Sequence, residues 1–316
     1  MEKQRFQVRS ENIAKQFAQL RQEKPERLEQ EMTLSFSTWM FGTEDLEVTF
    51  KRIRDAGLEY VELPGNHHTK DLGLSVQYVR SLLNDYGLKV SGICGLYSPQ
   101  TDFASDSPYA RQNAIDYVRR EIEFASEVGA EYIILVPSAV GRPQPIDAAE
   151  LERSVETVRL VGDDFLQAKI KAGVEPIRSA EVSLIHTIAD TEEFIRRVDH
   201  PGISHINGDI YHLINEEEHV GEAIIQAGDS LVNLHLADSH RGPLGTGVMD
   251  VDDVIRALYL IGHNQPGRFV TGEALGIGGN PYELMSRQSE PELFDQIVKQ
   301  TIGYFRQREK LVVAGG

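Results

Sequence analysis

The sequence predicts an α/β protein, a (β/α)₈ TIM barrel carrying an N-terminal helical extension, and three observations point there. From Thr33 onward, eight short apolar runs alternate with amphipathic segments of helical period. Gly57, Gly87 and Gly129 each close a helical segment just before the next apolar run, where a left-handed residue ends a helix. Glu175, Asp209, His235 and Glu273 fall at the ends of four consecutive runs, about one β/α unit apart. Side chains so distant in sequence converge only if the strands are parallel neighbours whose connections share one side. A doubly wound sheet has the same alternation but gathers its site at one switch point, so eight units with polar ends on successive strands favour the barrel.

Taken in order, residues 1–31 form the extension and 32–316 the barrel. Residues 10–32 predict a charged helix with Ile13, Phe17 and Leu20 as a partial apolar stripe. Packing on the outer helices is the expected role; covering the barrel bottom or meeting a partner chain are the alternatives. The first four strands are expected in LSFSTWMF from Leu34, LEYVEL from Leu58, LKVSGICG from Leu88 and EYIILV from Glu131. The second half supplies GVEPI from Gly173, ISHINGD from Ile203, LVNLHLAD from Leu231 and RFVTGEAL from Arg268. Between them, Leu46, Phe50 and Ile53 share one helical face, as do Ile115, Val118, Ile122 and Ala125. Two long connections, residues 97–108 and 274–290, are rich in turn formers and are expected to cover a ligand.

Composition narrows the chemistry. A chain of 316 residues, 41% hydrophobic, holds a barrel of roughly 250 residues with additions. Its 32 basic and 49 acidic residues leave a net charge of −17, which disfavours a non-specific grip on nucleic acid. Cys94 is the only cysteine, so neither an intrachain disulfide nor a thiolate-built structural zinc site is available. With no secretory leader at its start and no run of membrane-spanning length, the chain is expected to be cytoplasmic and to have no membrane partner.

Three carboxylates and one imidazole, Glu175, Asp209, His235 and Glu273, suit a divalent cation that takes oxygen with one nitrogen. Mn²⁺ is the first choice, with Mg²⁺, Co²⁺ or Zn²⁺ as alternatives. Singly, each acid could cap a helix and the histidine could simply be packed; as four successive strand ends they point to one site. Asp209 and His212, three apart in GDIYHL, can meet one ligand through a tight turn. Arg241, in HLADSHRGPLGTGVMD, can hold a hydroxyl or oxyanion by charge-assisted hydrogen bonds, and Gly242, Gly245 and Gly247 let the backbone fold close. Trp39, at the end of the first strand, either stacks on a ligand or belongs to the core. Glu62, His67 and His68 follow the second strand, and Tyr97 and Phe103 lie in the third loop, all within plausible reach of substrate; a solvated loop is the simpler account of the two histidines. The acids at 216–218 suggest a solvated turn opening a helix.

GVEPIRSAE, GDIYHL, HLADSHRGPLGTG and TGEAL occur in an order that resembles the xylose-isomerase-like barrel superfamily, and within it the sugar isomerase/epimerase group that includes ketose 3-epimerases. The resemblance covers nearly all of the chain after Thr33. It implies that Glu175, Asp209, His235 and Glu273 bind one divalent metal. It further implies that Glu175 and Glu273 are the acid/base pair and that Glu181, His212 and Arg241 contact substrate. The expected reaction removes a proton next to a carbonyl through an enediolate. Return to the opposite face gives epimerisation, and return to the neighbouring carbon gives isomerisation. The expected partner is a small ketose or keto-sugar glycoside, in a homo-oligomer. A related branch forms the large subunit of C-glycoside-cleaving lyases, which work on 3-oxo-glycosides beside a small β-rich subunit; that is the alternative. Abasic-site endonucleases share the barrel but need more histidines and a basic track, and are disfavoured here.

Overall fold

The computed structural model describes residues 4–65, 74–276 and 286–315. Eight parallel strands, β1 (Leu34–Phe36), β2 (Tyr60–Pro64), β3 (Lys89–Cys94), β4 (Tyr132–Leu135), β5 (Lys171–Val174), β6 (His205–Asp209), β7 (Leu231–Leu236) and β8 (Phe269–Gly272), form one sheet. Each strand pairs with its sequence neighbour, and β1 pairs with β8. A bridge between Ser37 and Glu62 joins β1 to β2 and closes the ring. The strands are buried almost throughout rather than alternating, because helices cover the outside while side chains fill the inside. The TIM barrel expected from the alternation is therefore the fold.

The helices start and stop for local reasons. Asp45 caps α2 (Leu46–Asp55) and Ser75 caps α3 (Val76–Tyr86), each accepting a backbone N–H of the first turn, while Pro108 opens α4 (Pro108–Val128). Gly87 and Gly129 end α3 and α4 with φ of 65° and 78°, the left-handed geometry expected of them. After β4 come α5 (Glu150–Arg159) and α6 (Gly162–Ala168); after β5, α7 (Ile188–Val198). After β6 come α8 (Ile210–Glu216) and α9 (Val220–Ala227); after β7, α10 (Val251–Leu260); and α11 (Pro291–Ala314) ends the chain.

The extension differs from its expected bounds. Helix α1 runs Arg5–Glu23, a turn earlier than expected, and Pro25 starts a separate 3₁₀ turn, Pro25–Leu28. Proline cannot continue the α-helical hydrogen bonds, which is why one long helix is not formed. Ile13, Phe17 and Leu20 are buried, and α1 packs against α9 and α10 on the outer wall. Trp39 lies beyond β1, in a short 3₁₀ turn. Residues 136–149, between β4 and α5, make another long strand-end connection that turn composition did not single out. Most of the 274–290 connection lies outside the described residues. Among the described residues no helix is long and apolar enough to cross a membrane.

Candidate active site

Register, rather than loop conformation, assembles the cluster. Asp209 is the last residue of β6 and the ladder partner of His235 on β7, so their side chains stand side by side. Glu175 and Glu273 directly follow β5 and β8 and continue the ladder: Glu175 N donates to Leu135 O at 3.0 Å and Glu273 N to Leu236 O at 2.9 Å. Ligand atoms of Glu175, Asp209 and His235 lie within 4.8 Å of one another, and Glu273 Oε2 is 3.2 Å from His235 Nδ1. All four residues are buried. Asp209 also caps α8, its Oδ1 accepting from Tyr211 N at 2.8 Å, which leaves Oδ2 facing His212 Nε2 at 3.4 Å. Trp39 Nε1 donates to Glu273 Oε1 at 2.7 Å, so the indole orients a site carboxylate as well as lining the pocket.

Charge is out of balance here. Four buried carboxylates, Glu62, Glu175, Asp209 and Glu273, surround one histidine. Burial pushes Glu175 well above the usual carboxylate range, the His235 charge opposing the shift and the Glu273 and Asp209 charges adding to it. Asp209 is pushed up to about 7 by burial and by the Glu273 charge. Burial acts on Glu273 in the same direction, but the His235 charge, with help from Arg241 and the Trp39 hydrogen bond, holds it below its ordinary value. Burial would lower His235, yet the Glu273 and Glu62 charges keep it well above the ordinary imidazole value. The donor set fits a divalent cation on two counts. Oxygen donors with one nitrogen suit such an ion, and His235 Nδ1 is buried with no aligned hydrogen-bond partner among the described residues.

Beside the cluster is a small pocket, partly open to solvent. Glu175, Glu181, His212, Arg241 and Glu273 form its polar side, and Leu96, Val136, Val140 and Ile177 line an apolar side. Arg241 takes a left-handed backbone, φ 66°, which side chains other than glycine rarely adopt. Its loop holds it there through Asp238, whose carboxylate accepts from Ser239 N and Gly245 N at 2.8 Å and from Thr246 N and Met249 N at 3.1 Å. Burial pushes Asp238 up, but these amides outweigh it and keep the carboxylate ionised below its usual range. Arg241 Nη1 donates to Glu181 Oε1 at 3.1 Å, and its guanidinium stacks 4.8 Å from the Tyr211 ring centre. Burial, with the Arg241, Arg178 and His235 charges, holds His212 well below its ordinary value, so it is a neutral imidazole. His212 Nδ1 and Arg241 Nε, both buried, have no hydrogen-bond partner among the described residues.

Several expectations change. Glu62 is fully buried and does not line the pocket; both its oxygens lie 3.1 Å from His235 Nε2, so it meets a site residue rather than substrate. Tyr97 and Phe103 do not line the pocket either. They pack on each other with ring centres 5.5 Å apart, Tyr97 also packs on Tyr117, and the third loop is thereby anchored in the core. The acids at 216–218 span the end of α8 and the turn that opens α9, as expected, with Glu218 exposed, and they also bond to neighbouring elements: Glu216 accepts from Ser179 N and Oγ, Glu217 from Ile188 N, and Glu218 pairs with Arg9. His67 and His68 lie outside the described residues. Cys94, last in β3, lines the pocket with Sγ 3.8 Å from Glu273 Oε1, and burial with the Glu62 and Glu273 charges keeps it a thiol. Its strand-end position was the sequence signal for that placement, the same signal that marked the three acids and the histidine.

With the geometry described, comparison with known proteins is informative. The chain is 29% identical over 231 residues to a ketose 3-epimerase of Arthrobacter globiformis, covering 72% of this chain and 78% of that one. It is 28% identical over 234 residues to a 3-dehydro-D-guloside 4-epimerase of Escherichia coli, covering 69% and 84%. The fold superposes on a D-allulose 3-epimerase of Methylomonas sp., solved with D-allulose, with a TM-score of 0.77 at 20% identity over 88% of this chain and 98% of that one. The family described as xylose isomerase-like TIM barrel matches residues 50–268, and the chain belongs to that family.

Proposed function

We propose that this protein is a divalent-metal-dependent sugar epimerase that exchanges the proton on the carbon next to the carbonyl of a ketose or keto-sugar. The observation that carries the reading is the surplus of buried carboxylates around His235, whose Nδ1 has no aligned hydrogen-bond partner among the described residues, beside a pocket lined by His212 and Arg241. The names of the two relatives agree chemically. A ketose inverted at carbon 3 and a 3-dehydro-glycoside inverted at carbon 4 both change at the carbon adjoining the carbonyl. Because both are epimerases, proton return rather than elimination is the reaction proposed.

Glu175, Asp209, His235 and Glu273 would hold the ion. When bound, a divalent cation, Mn²⁺ first among the candidates, supplies Lewis-acid polarisation of the substrate carbonyl. Glu175 and Glu273 are the proton carriers: one takes the proton and the other returns one to the opposite face. Trp39 keeps Glu273 Oε1 engaged, leaving Oε2 on the His235 side. His212 and Arg241 grip substrate oxygens, with Glu181 fixing the guanidinium from behind. The apolar side faces the carbons remote from the reaction.

The test is a solvent-exchange screen in D₂O with Mn²⁺ over free ketoses, inososes and 3-oxo-glycosides. Deuterium should enter next to the carbonyl of at least one class, and Glu273→Gln should reduce the rate by about 10²–10⁴-fold. Undiminished exchange in that variant would remove the two-glutamate mechanism.

A further inference from the structure

We infer that Glu62 is a positioning residue of the metal site, fixing which nitrogen of His235 is offered to the ion; the inference rests on the metal reading above. Glu62 lies 173 residues from His235 in sequence and reaches it across the barrel interior from β2. A neutral imidazole carries one N–H and one lone pair, and whichever nitrogen donates a hydrogen bond leaves the other to act as ligand. Both Glu62 oxygens face Nε2 at 3.1 Å, so Nε2 is the donor. With an ion bound, the cation would take the place of the proton on Nδ1, and that nitrogen would offer its lone pair on the side where Glu273 Oε2 lies at 3.2 Å and Glu175 Oε1 at 3.9 Å.

Glu62 is itself held as an acceptor. Tyr132 Oη donates to Glu62 Oε2 at 2.6 Å, and burial with the Glu62 charge raises the phenol well above its ordinary value, so it keeps its proton. The ring has its place because position 92 is glycine; a Cβ there would sit 2.2 Å from Tyr132 Cε2. From β8, Thr271 Oγ1 lies 3.4 Å from Tyr132 Oη and donates to Asn233 Oδ1 at 2.7 Å, and Asn233 Nδ2 donates to Asn207 Oδ1 at 2.8 Å. The interior below the site is therefore a chain of polar contacts. Packing alone does not account for it, since an apolar residue of similar volume would fill position 62 without burying a charge. A carboxylate behind a ligating histidine fixes ring orientation and raises ligand basicity, and that function accounts for the acid.

Mn²⁺ binding to the full-length protein, followed by the electron paramagnetic resonance of free Mn²⁺, tests the inference without any activity assay. Wild type should bind about one ion per chain, and Glu62→Gln should bind it about 10–100-fold more weakly. The glutamine has one acceptor oxygen for two donors, and its amide N–H₂ favours the other tautomer of His235. Ring ¹⁵N spectra with Zn²⁺ as a diamagnetic probe should show Nε2 protonated in wild type and that state lost in the variant. A general loss of packing would lower the melting temperature without changing the tautomer. If Glu62→Gln does not fold, Tyr132→Phe, which removes only the donor behind Glu62, should weaken Mn²⁺ a few-fold. Wild-type affinity in the first variant, or in Tyr132→Phe where it is the one that folds, overturns the role of Glu62 and leaves the metal site standing. No Mn²⁺ uptake by wild type overturns the metal reading itself.

Discussion

Two buried histidine–carboxylate arrangements sit in different parts of this molecule. On the outer wall, where α1 meets α9 and α10, His219 Nε2 lies 3.3 Å from Asp253 Oδ2 and 3.0 Å from Ser10 Oγ. Burial pushes His219 down and, with the Asp250 charge, pushes Asp253 up to about 7, so the seam resolves burial by becoming neutral. Its charges, Arg9 with Glu222 and Glu218, stay toward the solvent. At the strand ends His235 faces Glu62, Glu175 and Glu273, with Asp209 alongside, so four carboxylates crowd one imidazole. A buried histidine beside an acid is thus common to structure and site. What separates them is a surplus of like charge left next to an open pocket.

His235→Ala should weaken Mn²⁺ binding by more than about 100-fold, because it removes a ligand and strands Glu62; retention of about one tightly held ion in calorimetric titration would place the metal elsewhere. Arg241→Lys keeps the charge but loses the planar fork and the Tyr211 stacking, and should raise KM by about 10-fold or more in steady-state kinetics. Asp238→Asn halves the acceptor capacity that holds the 238–249 loop and should cost about 1–3 kcal/mol in denaturant melts while raising KM, since Arg241 is released from its left-handed backbone.

The seam provides the smallest functional effect and a pH test. The folded-state pKa of Asp253 is raised above its ordinary 3.8 to about 7, so the folded chain holds a proton the unfolded chain releases. Stability from this group is therefore full below about pH 4, falls as pH rises toward 7, and levels beyond it. Facing it are Asp250 at the start of α10, Asp252 and Arg256 on α10, His219 at the start of α9 and Ser10 on α1, while Glu222 and Arg9 act on His219. Asp253→Asn should raise the melting temperature by about 2–5 °C at pH 8, leave it unchanged at pH 4, and leave epimerase activity unaltered. An equal shift at both pH values would show that the carboxyl does not titrate in that window.

Much of the fold was legible because its signals are local. Leu46, Phe50 and Ile53 mark an inward helical face, and Gly87 and Gly129 mark helix ends, on information contained within a few residues. Tyr97 and Phe103 were misjudged for the complementary reason. An aromatic residue in a strand-end loop has the same composition signal whether it faces a pocket or the core, and packing on Tyr117 decides it. The helix expected over residues 10–32 stops at Glu23, because Pro25 cannot continue the α-helical hydrogen bonds.

The sequence by itself determined that Glu175, Asp209, His235 and Glu273 would stand at successive strand ends, because strand periodicity and strand termination are short-range properties of the chain. Only the tertiary structure decided that Glu62 on β2 meets Nε2 of His235 on β7, that Asp238 locks Arg241 into a left-handed turn, and that Cys94 borders the pocket. Those pairings depend on register and closure of the whole ring, where a shift of one residue turns each side chain from the interior to the outer wall.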